Sequence, residues 1–160
     1  MITTQKTVYF MVGAGGSGKG YVISNSPELR NLPTVNSDNF IEAHPGFISG
    51  ELQPSDLHAW AEGQMEAQWD LALTGNNSFI LDGTGKTAAN VQRRMEAARA
   101  AGFQIVAIWV KVPVGICLQR NQQRVRQVPE NFIIDAWNKV AANWELYVDW
   151  ADQAQIIHNI

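Results

Sequence analysis

The stretch YFMVGAGGSGKGYVISN, residues 9–25, decides how the rest of the chain is interpreted. An apolar run leads into a glycine-rich segment, and a predicted helix begins near Gly18. The spacing from Gly13 to Lys19 is G-x-x-x-x-G-K. In this pattern the glycines let successive backbone N–H groups face one phosphate, and the lysine reaches the β- and γ-phosphates of a nucleotide. This strand–loop–helix context predicts a phosphate-binding loop, and a tight turn with a surface lysine is the simpler alternative.

The candidate nucleotide-binding loop is a run of consecutive residues: Gly13, Ala14, Gly15, Gly16, Ser17, Gly18, Lys19, Gly20 and Tyr21. Gly20 stands where the motif normally has Ser or Thr, whose hydroxyl contacts Mg²⁺. We therefore expect metal binding to depend on carboxylates elsewhere in the chain.

The rest of the sequence alternates short apolar runs with helical patterns. Runs that predict buried strands lie at residues 7–12, 32–38, 78–83, 103–112 and 154–160. After the loop helix, further helices are predicted at about 56–75 with Ser55 as N-cap, 87–102, 113–124 and 130–152. Strands that are apolar throughout and alternate with helices indicate a parallel sheet covered on both faces, so we expect one α/β domain over residues 1–160.

Composition narrows the classes of protein that this chain can be. Its 160 residues carry a net charge of -3, which argues against a surface that is basic all over. The single cysteine, Cys117, excludes a disulfide framework, and together with the lack of a secretory leader it leads us to expect a reducing cytoplasm. No apolar run has the length of a membrane span.

Two aspartates follow predicted strands. Asp82 ends the run SFILD, and Asp38 follows the run TVNS. Because the carboxyl ends of parallel strands meet at the edge where ligands bind, Asp82 is a candidate to hold Mg²⁺ or its waters. A turn aspartate before Gly83, and a helix cap formed by residues 37–39, are the structural alternatives.

A group of arginines lies in CLQRNQQRVRQVPENF, residues 117–132. Arg120, Arg124 and Arg126 fall within seven residues, and helical spacing places the first two on one face. Guanidinium groups fit phosphate oxygens and the charge that develops on a transferred phosphoryl group. A solvated basic helix end is the alternative interpretation.

A second basic group follows Asp82. Lys86, Arg93 and Arg94 could hold an anionic acceptor such as a nucleotide or a DNA backbone. A solvated helix face explains these residues equally well, so this group does not choose between substrates.

These motifs resemble P-loop kinases over nearly the whole chain, most closely the polynucleotide-kinase and zeta-toxin-like group. The segment RNQQRVRQVPENFI is similar to the lid of that group, which includes phage kinases that phosphorylate hydroxymethylated bases in DNA. The stretches GKG and FILDG resemble adenylate kinases, which continue with Thr where this chain has Tyr21. The resemblance implies a three-layer P-loop NTPase fold, with a five-stranded parallel sheet in the order 2-3-1-4-5 and a short lid at about residues 120–130.

The resemblance also implies an activity, the transfer of the γ-phosphoryl group of ATP, or of another nucleoside triphosphate, to a hydroxyl with Mg²⁺ as cofactor. It implies that Lys19 and the loop hold the phosphates, that Asp82 supports the metal, and that Asp38 contacts the acceptor and takes its proton. Arg120 and Arg124 then bind the nucleotide and stabilise the transferred charge. The residues expected to contact the acceptor are Asp38, Lys86, Arg93 and Arg126.

The first expected acceptor is a hydroxyl on nucleic acid, in particular a phage-type 5-hydroxymethyluracil base in DNA, in which case the enzyme acts in the host cytoplasm. A nucleoside monophosphate kinase or a zeta-toxin-like UDP-sugar kinase is the alternative. Nucleoside monophosphate kinases carry arginines where this chain has Ile41, Glu42 and Lys86, which counts against them. A nucleotide-binding module without turnover is the alternative from another class.

Overall fold

The computed structural model describes residues 5–159, in which five parallel strands form one sheet. The strands are β1 (Thr7–Val12), β2 (Thr34–Val35), β3 (Phe79–Asp82), β4 (Gln104–Lys111) and β5 (Gln153–His158). They are hydrogen-bonded in the order β2-β3-β1-β4-β5. This confirms the predicted α/β class and strand order.

Helices connect these strands, as parallel pairing requires. They are α1 (Lys19–Asn25), α2 (Ser37–Ala43), α3 (Pro45–Ile48), α4 (Pro54–Leu73), α5 (Ala88–Ala100), α6 (Val114–Gln122) and α7 (Glu130–Trp150). Among these helices, none has the combination of length and apolar composition that a bilayer span needs.

Two predicted boundaries were wrong, and two short helices were not predicted. The strand predicted at residues 32–38 is only two residues long, because Asn36 caps α2 and turns the chain into a helix. The helix predicted to begin after Ser55 begins at Pro54 instead, with Gln53 at the N-cap and Asp56 accepting a hydrogen bond from its backbone. The short helices α2 and α3 were not among the predicted helices.

The central strands β1 and β4 are largely buried because both faces of the sheet are covered, whereas β5, which was predicted to be buried, lies mostly exposed at one edge of the sheet. On one face Phe10 and Phe79 pack with Trp69 of α4, and the same cluster includes Trp144 of α7. On the other face Met11 packs in a cluster that includes residues of α1 and the chain after it. The buried tryptophans Trp69, Trp109 and Trp144 therefore belong to the core.

A third cluster supports the segment that follows β1. Ala14 packs with Val112, with Cys117 of α6, and with Ile133 in the first turn of α7. This packing holds the glycine-rich loop at the carboxyl edge of the sheet. The register pairs Met11 with Asp82, so Asp82 lies next to the start of that loop.

Candidate active site

The glycine-rich loop takes a path that its glycines make possible. Gly16 and Gly18 have φ angles of 85° and 89°, in the left-handed region that side chains other than glycine rarely adopt. A Cβ added to Gly16 would also collide with the carbonyl oxygen of Cys117. Gly18 is the N-cap of α1, so the loop delivers the helix N-terminus and its free N–H groups to the edge of the sheet.

Lys19 is the first residue of α1, and its ammonium group folds back over the loop. Its Nζ donates a hydrogen bond to the carbonyl oxygen of Gly13 at 2.8 Å and lies 3.9 Å from Oδ1 of Asp82. The lysine therefore lies at the loop with its charge facing a carboxylate. A phosphate bound by the loop would replace these groups as the partner of the Lys19 ammonium group.

Asp82 ends β3 and its side chain is only 13% exposed. Its Oδ2 accepts a hydrogen bond from Nδ2 of Asn36 at 2.9 Å, whereas its buried Oδ1 has no hydrogen-bond partner among residues 5–159. Burial raises the pKa of the Asp82 carboxyl, and the nearby Lys19 and the Asn36 hydrogen bond only partly oppose this. Such a free carboxylate oxygen is a suitable ligand for a hard cation.

No cluster of three or more metal-ligating side chains occurs in the part of the chain that the structure describes. A site with a single carboxylate fits Mg²⁺, because this ion commonly binds one or two protein carboxylates and takes its other ligands from phosphates and waters. Asp82 is the residue that would hold it, directly or through a water.

Asn36, which no sequence pattern had singled out, connects the carboxylate of Asp82 to the backbone of Asp38. Its Nδ2 donates to Asp82, and its Oδ1 accepts a hydrogen bond from the backbone N–H of Asp38 at 2.7 Å. The signal was present as an asparagine directly before a possible helix start, which is a favoured N-cap. Its hydrogen bond to Asp82 depends on β2 and β3 being neighbours, which no local pattern reports.

Asp38 lies in the first turn of α2 rather than at the tip of a strand, and its side chain is 52% exposed. Arg126 reaches it from the segment between α6 and α7. Nη1 of Arg126 lies 3.1 Å from Oδ1 of Asp38 and 3.8 Å from Oε1 of Glu42. The predicted lid thus contacts the helix that carries the candidate base.

Arg120 contacts the loop, but through carbonyl oxygens. Its Nη1 donates to the carbonyl oxygens of Gly16 at 3.4 Å and Ser17 at 3.2 Å, and its Nη2 donates to that of Asn159 at 2.9 Å. Nδ2 of Asn159 also donates to the carbonyl oxygen of Ser17, at 3.1 Å. Arg120 and Asn159 together brace the loop, and Asn159 was not anticipated because it follows the last strand, far away in sequence.

The prediction that Arg124 shares a helical face with Arg120 was wrong, because α6 ends at Gln122. It lies on the exposed part of the segment that leads to α7. The buried Asn121 closes this segment, since its Nδ2 donates to the carbonyl oxygen of Val128 at 2.8 Å and its Oδ1 accepts from the N–H of Val128 at 2.9 Å. This closure was also missed.

The structure separates the second basic group. Lys86 lies beside the loop, in a segment where the N–H of Gly13 donates to the carbonyl oxygen of Thr84 at 3.1 Å. Arg93 lies on α5, where its Nη2 is 3.9 Å from Oε1 of Glu66 on α4, and Arg94 contacts the same carboxylate. Of this group, Lys86 joins the candidate site, and the arginines contact α4 instead.

Comparison with known proteins gives a family and a fold. A family model described as an AAA domain matches residues 8–147. No curated protein matches the sequence. The solved structures show similarity at low identity, and three of them are informative.

A chain of the AvrRxo1-ORF1:-ORF2 complex with ATP is 14% identical, with a TM-score of 0.74 over 91% of this chain and 50% of that one. Shikimate kinase from Acinetobacter baumannii in complex with shikimate is 18% identical, with a TM-score of 0.57 over 97% of this chain and 86% of that one. A chain of the Pnkp1/Rnl/Hen1 RNA repair complex is 19% identical, with a TM-score of 0.66 over 91% of this chain and 47% of that one.

This chain thus spans about half the length of the first and third of these proteins. At these identities the similarity shows a P-loop kinase-like fold, which confirms the coarser part of the resemblance seen in the sequence.

Proposed function

We propose that this chain, which belongs to the AAA domain family, is an ATP-dependent kinase that transfers the γ-phosphoryl group to a hydroxyl on nucleic acid. The observation that carries this proposal is that Asn36 joins the carboxylate of Asp82 to the backbone of Asp38, so that two carboxylates of different character lie at the same edge of the sheet. Asp82 is buried against Lys19, and Asp38 is half exposed on α2. Phosphoryl transfer to an alcohol needs one carboxylate on the side of the phosphates and one on the side of the acceptor.

The loop and Lys19 would hold the triphosphate. The N–H groups at the start of α1 and the ammonium group provide positive charge where the β- and γ-phosphates would lie. Arg120 would keep the loop in this shape by binding its carbonyl oxygens. Arg124, exposed on the lid, would supply the guanidinium for charge that develops on the transferred group.

Asp38 would act as the general base. The acceptor oxygen forms a bond to the γ-phosphorus, the bond from that phosphorus to the β–γ bridging oxygen breaks, and the acceptor proton moves to the Asp38 carboxylate. The products are ADP, the phosphate ester and a protonated Asp38. Mg²⁺, when held at Asp82, would supply charge neutralisation of the phosphates.

The acceptor is proposed to be a nucleic-acid hydroxyl, first a 5-hydroxymethyluracil base in DNA and second a 5′-hydroxyl end. The lid sequence supports this choice, as does the fold similarity to a chain of an RNA repair complex. Glu42 and Lys86 stand where nucleoside monophosphate kinases carry arginines, so a dianionic nucleotide phosphate lacks its usual bidentate partners.

The test offers ATP labelled at the γ-phosphate with hydroxymethylated DNA, 5′-hydroxyl DNA and RNA, nucleoside monophosphates and UDP-sugars. We expect Asp38→Asn to retain ATP affinity and to lower transfer about 10²–10⁴-fold, because it loses the proton acceptor. Lys19→Ala serves as the comparison, since it should weaken both ATP binding and transfer.

Unchanged transfer in Asp38→Asn would remove this residue from the mechanism. Wild-type protein that binds ATP but labels no acceptor would favour a nucleotide-binding module without turnover.

A further inference from the structure

We propose that Phe132 and Lys86 form a subsite that stacks one base of a single-stranded nucleic acid and binds a neighbouring backbone phosphate. This inference rests on the proposed function, because it specifies the form in which the acceptor binds. Nζ of Lys86 lies 5.9 Å from the centre of the Phe132 ring. An aromatic face next to an ammonium group is the combination by which proteins bind single strands without reading their sequence.

Phe132 is held next to the phosphate-binding loop while its own ring stays open to solvent. It lies in the first turn of α7, where the adjacent Ile133 is buried and faces Gly15 of the loop. Phe132 itself is 54% exposed. Core packing accounts for Ile133 but not for an apolar ring placed on the surface beside the site, and a stacked base would cover it.

The backbone that carries Lys86 accepts three hydrogen bonds, one from the glycine-rich loop and two from α7. The N–H of Gly13 binds the carbonyl oxygen of Thr84, and the Tyr147 hydroxyl donates to that of Gly85. Nδ2 of Asn143 donates to the carbonyl oxygen of Lys86 itself, at 3.4 Å. These hydrogen bonds therefore hold the backbone of Lys86 beside the start of the loop.

The charges of the site favour a strand over a free nucleotide. Within residues 5–159, no carboxylate lies within ion-pair distance of Lys86, whereas Arg126 is shared between Asp38 and Glu42. A lone ammonium group suits the single negative charge of a phosphodiester. The dianionic phosphate of a mononucleotide is usually held by guanidinium forks, and the arginine on this side of the site is already paired.

The test measures binding of a fluorescein-labelled oligothymidylate 12-mer to the full chain by fluorescence anisotropy. We expect Phe132→Ala to weaken binding about tenfold, because it removes one stacked base. Lys86→Ala should weaken binding and lower the slope of log affinity against log salt by about 0.7. Phe132→Tyr should bind like the wild type. Lys139→Ala should do so too, because Lys139 lies on α7, as Phe132 does, but forms an ion pair with Asp135.

Wild-type protein that fails to bind the 12-mer, or Phe132→Ala and Lys86→Ala proteins that bind it unchanged, would overturn the subsite. Competition by thymidine monophosphate at concentrations comparable to those of the 12-mer would do the same, by showing that a free nucleotide suffices. The proposed function is judged separately, by transfer from labelled ATP in wild type and Asp38→Asn. Phosphoryl transfer that depends on Asp38 but not on Phe132 would support the proposed kinase activity and contradict the subsite.

Discussion

Replacing Arg120 with alanine tests whether this side chain braces the loop or binds phosphate. The bonds to the carbonyl oxygens of Asn159, at 2.9 Å, and Ser17, at 3.2 Å, have normal lengths, and the one to Gly16, at 3.4 Å, is long and weak. A hydrogen bond that involves a charged group contributes about 1.5–3 kcal/mol. Since water can reach part of this site and replace some of that interaction, we expect Arg120→Ala to lose about 2–4 kcal/mol of unfolding free energy in the absence of nucleotide.

The assay is urea denaturation of the nucleotide-free protein, followed by ATP titration. For a chain of this length, the loss corresponds to a fall of roughly 5–15 °C in melting temperature. Arg124→Ala is the matched control, because its side chain is exposed and its loss should change stability by less than about 0.5 kcal/mol.

A residue that serves only as a phosphate ligand would behave in the opposite way. It would leave the nucleotide-free stability unchanged and reduce only ATP affinity and turnover. That outcome for Arg120→Ala would refute the bracing role.

Two further predictions concern the loop and its carboxylate. Because burial raises the pKa of Asp82, this residue's contribution to stability is present at low pH and is lost as the pH rises through the raised pKa. Asp82→Asn should therefore raise the urea midpoint of unfolding at pH 7 and make that midpoint less dependent on pH. The same variant should lower phosphoryl transfer about 10²-fold. A urea midpoint below that of the wild type would contradict this prediction. Gly16→Ala should lose at least about 2 kcal/mol of stability, because its φ of 85° is strained for alanine and its Cβ meets the Cys117 carbonyl. Gly20→Ala, at a helical position with open space around it, should be neutral or stabilising by about 0.5–1 kcal/mol, and equal losses for the two variants in thermal melts would refute the steric argument.

The fold was largely predictable because its signals are local. Continuous apolar runs between helical patterns report a buried parallel sheet, and the G-x-x-x-x-G-K spacing marks where β1 turns into α1. The strand order came from the family resemblance and is confirmed. Boundaries failed where side-chain caps compete with the apolar pattern, as at Asn36, which ends β2 early and starts α2.

The candidate site was predictable only in part, since its residues come from separate parts of the chain. Lys19, Asp38 and Asp82 could be named because each follows a recognisable strand or loop signal. The link through Asn36 and the bracing by Asn159 could not be named, since each joins parts of the chain that are distant in sequence and that only the folded sheet brings together. The same reason explains why Arg93 was grouped with Lys86 although it contacts α4.

By itself, the sequence determined the α/β class, the glycine-rich loop between β1 and α1, and Asp82 at the carboxyl edge of the sheet, since these follow from hydrophobic periodicity and from glycine and lysine spacing. The tertiary structure alone decided what each polar side chain contacts. It turned Arg120 toward loop carbonyls, tied Asp82 to Asn36 and brought Lys86 beside Phe132. The physical reason is that hydrogen bonds and ion pairs act over a few ångströms, so they depend on which elements the apolar core brings together.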